Sequence, residues 1–238
     1  MIEQVYMSDC IAHFHEGFRK LHGLRKYDDI EAPALFVGMY NMIDINALNS
    51  HEGRTLVLFS GADMDNAPMV RSDIVADETQ ANYLRTLEDV KIANVSFRSF
   101  EDFKPVPLGD KIYCYQNSNT DGNKAKYRYD LLLKVENRYG AGRIIRGYHP
   151  HTDEEMREIY SECAIGIQFN EWAGYTSTKE LAHMGRMSIS NRKAPFTRTF
   201  TEESLFKEID DLLDNPVTPE FVSLRANKFV NIGKDWLK

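Results

Sequence analysis

The sequence predicts an α/β protein of two lobes, each a parallel sheet covered by helices, with a cleft between the sheets. Two observations predict it. Short apolar runs alternate with amphipathic stretches along all 238 residues, the order that builds mostly parallel sheets covered on both faces. That alternation breaks off at Phe103-Lys-Pro-Val-Pro-Leu-Gly109, where two prolines and a glycine favour extended chain over helix or strand. The join divides the chain into residues 1–105 and 106–238. In such an architecture a ligand lies at the carboxyl ends of the strands.

In the first lobe, Ile2–Met7 alternates as a strand should, and His13–Leu24 carries Phe14, Phe18 and Leu21 at helical spacing before Gly23. Ala34–Tyr40 is a continuous apolar run behind Pro33, the pattern of a strand buried on both faces. Thr55–Phe59 is another, bounded by Gly53 and Gly61, and Ser72–Ala76 leads into a helix over Glu78–Leu87. Ala93–Phe97 reads as the last strand of this lobe. The second lobe opens with strand Lys111–Tyr115, helix Lys126–Asn137 and strand Arg143–Arg146. Helix Asp153–Glu162, strand Ala164–Gln168, helix Lys179–Met184 and strand Met187–Ser190 follow, and helices Thr201–Asp214 and Pro219–Phe229 complete it.

Composition narrows the function. Hydrophobic residues at 42% and charged residues at 27% mark a soluble globular chain. No run approaches the roughly 18 apolar residues of a spanning helix, and the first residues lack the basic and apolar segments of a secretory signal. The net charge of −7, from 29 Lys and Arg against 36 Asp and Glu, argues against broad phosphate neutralisation along a nucleic acid. A basic cluster, Arg19, Lys20, Arg25 and Lys26, keeps a local contact open. Cys10, Cys114 and Cys163 are too dispersed for a disulfide framework or a thiolate zinc site, which points to a reducing, cytoplasmic setting.

The chemistry concentrates after strand Ala164–Gln168. A loop containing Gly174, Thr176, Ser177 and Thr178 leads into a helix beginning near Lys179. A helix start offers free N–H groups and partial positive charge to a phosphate, while the same hydroxyl residues serve equally as caps. Lys124, Lys126 and Arg128 cluster after the first strand of this lobe and can neutralise a departing diphosphate. Tyr148, in Gly147-Tyr-His-Pro150, can stack on a nucleotide base. In the first lobe His13 and His15 follow the opening strand, and Asp63-Met-Asp65 forms a D-x-D pair after another.

Glu180-Leu-Ala-His-Met-Gly185 with Arg-Met-Ser-Ile-Ser190 resembles the second-glutamate segment of retaining glycosyltransferases of the two-Rossmann-domain type, the GT-B family-4-like group. Asp153–Ile167 is similar to the helix and strand before that segment, Phe103-Lys-Pro105 to the end of the N-terminal lobe, and Ser60-Gly-Ala-Asp63 to its Gly-Ser-Asp strand end. The compact length is that of phage and viral members. The resemblance implies two Rossmann-like lobes, an acceptor-side lobe over 1–105 and a nucleotide-sugar lobe over 106–238, whose last helix packs back on the first. It implies that Glu180 binds the ribose hydroxyls, that Ser177, Thr178 and Lys179 receive the diphosphate, and that Glu171 contacts the transferred sugar. Eight residues separate Glu171 from Glu180 where the family has seven. Asp63 would face the reaction with His13 and His15, because Ser60 stands where the family often has histidine, and Gln116-Asn117 stands where it has Gly-Arg. The expected donor is a nucleotide-diphosphate sugar, with no metal or other cofactor. The expected acceptor is a glycan, a small molecule or a hydroxymethylated DNA base. A non-catalytic nucleotide-sugar binder, or a metal-dependent enzyme using Asp63 and Asp65, are the alternatives.

Overall fold

The computed structural model describes the chain apart from residues 78–79, 82–83, 85–89, 117–123, 126, 148–151, 171–174, 234 and 238. Packing divides it into two compact units, Met1–Ser99 with Val230–Lys238, and Phe100–Phe229.

Among the described residues the first unit holds six parallel strands: β1 (Gln4–Met7), β2 (Arg25–Lys26), β3 (Ala34–Val37), β4 (Thr55–Leu58), β5 (Asp73–Ala76) and β6 (Val90–Ile92), in the order β2-β1-β3-β4-β5-β6. All of β3 is buried, as its unbroken apolar run requires. Helix α1 (His15–His22) follows β1 through a 3₁₀ segment, Asp9–Phe14, and ends at Gly23 with φ 64°. Helix α2 (Met42–Asn49), absent from the sequence reading, starts with a capping box. Asn41 accepts from the Ile43 and Asp44 amides at 2.8 and 3.2 Å, and the Asp44 carboxylate accepts from the Asn41 amide at 3.1 Å. Met42 and Ile43 face outward, so helical hydrophobic spacing never forms.

The strand expected over Ala93–Phe97 is replaced by β6, three residues upstream. Beyond it the backbone pairs with the returning C-terminal segment: Asn94 donates to the Asn231 side chain at 2.8 Å, and Ser96 to the Asn231 carbonyl at 3.2 Å. Trp236 and Leu237 join the core of Ile2, Val5, Phe18, Leu35, Leu56 and Val75, with the Trp236 indole donating to His22 Nδ1 at 3.1 Å. What anchors the tail is therefore Asn231 and the segment after it. The helix over Glu78–Leu87 lies largely outside the described residues.

The second unit holds strands β7 (Lys111–Tyr115), β8 (Ile144–Gly147), β9 (Cys163–Gln168), β10 (Ser188–Ser190) and β11 (Thr197–Arg198), all parallel, in the order β11-β10-β9-β7-β8. Helices α3 (Tyr129–Tyr139), α4 (Asp153–Ser161), α5 (Tyr175–His183), α6 (Leu205–Asp214) and α7 (Pro219–Phe229) accompany them. Two begin later than expected. Arg128, at φ 51°, turns the chain just before α3, and Thr201 and Ser204 form a local turn before α6.

Gly147 and Gly185 are among the glycines that leave no room for a side chain. A Cβ at Gly147 would sit 2.0 Å from the Tyr113 hydroxyl, and one at Gly185, where φ is 94° at the end of α5, would sit 2.4 Å from Pro219. The proline-rich segment packs within this unit through Arg186. That fully buried guanidinium donates to the carbonyls of Val106 at 2.9 Å, Pro107 at 2.6 Å, and Ser161 and Cys163 at 3.1 Å, and to Met184. One side chain thus ties the proline-rich segment, the end of α4, the start of β9 and the end of α5 together.

Candidate functional site

In the second unit the chain runs from β7 to β8 on one side and then crosses to β9 on the other. The point between β7 and β9 is where a parallel α/β sheet opens a crevice at its carboxyl edge. The residues just past the strand ends there are polar and buried: Gln116 after β7, Gln168 and Asn170 at and after β9, Ser190 and Arg192 at and after β10. Polar side chains are mostly exposed, so the convergence of several buried ones on one edge needs a reason.

Helix α5 leaves this edge and begins at Tyr175, four residues before the expected start. The free N–H groups of its first turn therefore belong to residues 175–178, and Lys179 and Glu180 lie within the helix. Ser177, Thr178, Lys179 and Glu180 are all buried, so the structure brings these four predicted residues together. Thr178 does not cap the helix; its hydroxyl donates to Gln168 Oε1 at 2.6 Å, fastening α5 to the end of β9.

Glu180 is the buried carboxylate of the site, 4% exposed. The hydroxyl of Tyr160, on α4, donates to its Oε2 at 2.7 Å. Burial and then the adjacent Glu180 charge hold the Tyr160 phenol far above its ordinary range, so it remains a donor. The Tyr113 ring packs edge-on against Tyr160 at 5.0 Å. Its hydroxyl lies near Ser177 and Tyr160 without reaching hydrogen-bond geometry with either. His183, one turn beyond Lys179, stacks on Phe100 at 4.2 Å. Burial first, and the Lys179 charge second, push its pKa down to about 4, so it is neutral at pH 7.

The remaining candidates separate. Arg128 is committed to Asp130, through two contacts of 3.1 Å, and to Glu202, which neutralises it as a phosphate ligand. Lys124 lies 5.9 Å from the centre of the Tyr129 ring. Lys126, Tyr148 and Glu171 lie outside the described residues. His13 is exposed, its ring 4.0 Å from that of Phe14, and partial burial and then Arg98 lower its pKa. His15 is half-buried, with Nε2 unpartnered among the described residues.

Asp63 has a structural task. It is 1% exposed and accepts from the backbone amides of Met39 at 3.0 Å, Ser60 at 3.0 Å and Gly61 at 2.7 Å. These bonds lock the loop after β4 to the loop after β3. Burial outweighs the amides and pushes the Asp63 pKa up to about 6. Asp65 is exposed, so the D-x-D pair does not present two carboxylates to one place. Sequence reasoning missed Tyr160. The signal was its place on the buried face in the last turn of an amphipathic helix.

No protein family profile and no curated protein matches the chain. Solved structures do. One is TarM, with a TM-score of 0.52 at 10% identity over 90% of this chain and 53% of TarM. Another is sucrose-phosphate synthase from Thermosynechococcus elongatus, with a TM-score of 0.57 at 10% identity over 84% of this chain and 69% of the synthase. This chain has the GT-B fold. It spans about half the length of TarM. Among the described residues no helix is long and apolar enough to cross a membrane.

Proposed function

We propose that this chain is a glycosyltransferase that moves a sugar from a nucleotide-diphosphate sugar to an acceptor hydroxyl. The observation that carries the reading is Glu180: a buried carboxylate on the helix leaving the sheet's crevice, oriented by a phenol donor at 2.7 Å. In this reading Glu180 accepts from the ribose hydroxyls. The first-turn amides of α5 and the Lys179 ammonium receive the diphosphate, where backbone N–H groups and a cation favour an anion. The fold shared with TarM and sucrose-phosphate synthase supports the same reading.

Catalysis then rests on positioning and on stabilising the departing diphosphate rather than on a strong protein base. The structural commitment of Asp63 favours a reaction that does not use the D-x-D pair to hold a metal. The product is expected to keep the donor's anomeric configuration. The acceptor class is a glycan or small molecule, in keeping with the net charge of −7.

The test is a thermal-shift and donor-hydrolysis panel of UDP-, GDP- and ADP-sugars with and without EDTA. Stabilisation by one donor that survives EDTA, with slow release of its nucleotide, is the expected result. Stabilisation lost in EDTA would overturn the metal-free mechanism. No response to any sugar nucleotide would overturn the function.

A further inference from the structure

Among the described residues Gln116 alone has both polar atoms of a buried side chain unpartnered: Nε2 and Oε1 lack a hydrogen bond, and the residue is 1% exposed. Its backbone is fixed, the amide donating to the Gly147 carbonyl of β8 at 3.2 Å. It stands at the carboxyl end of β7, the strand that lies between β8 and β9. A buried amide with neither group satisfied is costly to keep in an apoprotein. A leucine or methionine of similar volume would fill the same space without that cost. The location is the one where this class of sheet takes its ligand.

We infer that Gln116 is a specificity residue that reads the sugar nucleotide at two points, through a group carrying a donor and an acceptor side by side. The inference rests on the function proposed above. Its chemical content follows from the amide itself, which offers N–H groups and a carbonyl oxygen next to each other. A phosphate only accepts, so it would answer Nε2 and leave Oε1 buried and unpaired. A nucleobase edge, with N–H beside a ring nitrogen or carbonyl, answers both. So does a hydroxyl pair on a sugar. Gln116 therefore contacts a part of the donor other than the diphosphate held by α5. A ligand lacking the matching pair leaves the amide unpaired, which is how buried polar groups discriminate strongly.

The test compares wild type with Gln116→Met by calorimetric titration of UDP, UDP-glucose, GDP, GDP-mannose, ADP, ADP-glucose and inorganic pyrophosphate, alongside the ligand-free melting temperature. The variant is expected to melt at the wild-type temperature or above. It should bind the preferred sugar nucleotide about tenfold to a hundredfold more weakly, the scale of an unpaired polar group, with pyrophosphate binding unchanged. Equal weakening of the nucleoside diphosphate and its sugar would assign the contact to the nucleoside. Weakening confined to the sugar nucleotide would assign it to the transferred sugar. Unchanged affinity in the variant overturns the inference alone. So does equal weakening of pyrophosphate, and so does a lower melting temperature, which would show the amide holding the fold. A wild type that binds none of the nucleotides overturns this inference together with the function it rests on.

Discussion

Asp63 in the first unit and Glu180 in the second are both buried carboxylates in segments that leave parallel strands, yet they are held in opposite ways. Asp63 accepts from three backbone amides on two loops, so removing it would release the backbone. Glu180 accepts from a side chain, the Tyr160 hydroxyl on a neighbouring helix. The first is a fastener, and the second is a group whose direction has been set. A carboxylate at the edge of a sheet is thus identified by what holds it, more than by its burial or its motif.

Substitutions can break or sharpen that contrast. The largest stability loss is expected for Arg186→Met, which strips a charged donor from five carbonyls. About 3–5 kcal/mol should be lost from the second unit by chemical denaturation. Retained stability would show that the proline-rich segment is held by other means.

Next comes pH, where the two units should respond in opposite senses. Asp63, pushed up to about 6, binds its proton more tightly in the folded state, so its contribution falls as pH rises from about 4 to 6 and is flat above. His183, pushed down to about 4, holds its proton less tightly when folded. Its contribution is complete above about 6.5 and is lost as pH falls toward 4. Each amounts to about 3 kcal/mol. Amide exchange of β4 and of β9, followed over this range and corrected for intrinsic rates, should show slopes of opposite sign. Asp63→Asn should flatten the first and His183→Gln the second.

Asp63→Ala should cost the first unit about 2 kcal/mol at neutral pH, because its amide partners lose their acceptor, while sugar-nucleotide affinity stays at the wild-type value. Loss of binding without loss of stability would return Asp63 to the reaction. The smallest effect is expected for Tyr160→Phe, about 1 kcal/mol in stability. It should weaken donor binding severalfold, because Glu180 loses the donor that orients it.

Most strands were legible because they are short apolar runs, whereas β2 (Arg25–Lys26) and β11 (Thr197–Arg198) hold no apolar residue and were not. β7 and α7 have the bounds that the sequence predicts. Helix starts were less legible. Tyr175, Thr176 and Ser177 lack the apolar spacing of a helix, so α5 was entered at Lys179 and its free amides were placed too late. Helix α2 was invisible because Met42 and Ile43 face outward, although Asn41 and Asp44 carry a capping pattern. In the candidate site, Ser177 to Glu180 were named from the resemblance, while Tyr160 was not. Its pairing with Glu180 joins residues 20 apart in the chain, which spacing does not show. Asp63 misled for the same reason: a D-x-D spacing does not reveal that Met39, Ser60 and Gly61 already occupy the carboxylate.

The central claim is that Glu180 belongs to a sugar-nucleotide site, and calorimetric titration of wild type, Glu180→Gln and Asp63→Ala with UDP-, GDP- and ADP-sugars tests it most directly. The account predicts that wild type and Asp63→Ala bind the same donor with the same affinity, and that Glu180→Gln binds it at least about tenfold more weakly, the scale of a lost charged hydrogen bond. A Glu180→Gln protein that binds as wild type does, or a wild type that binds none of the donors, would contradict it.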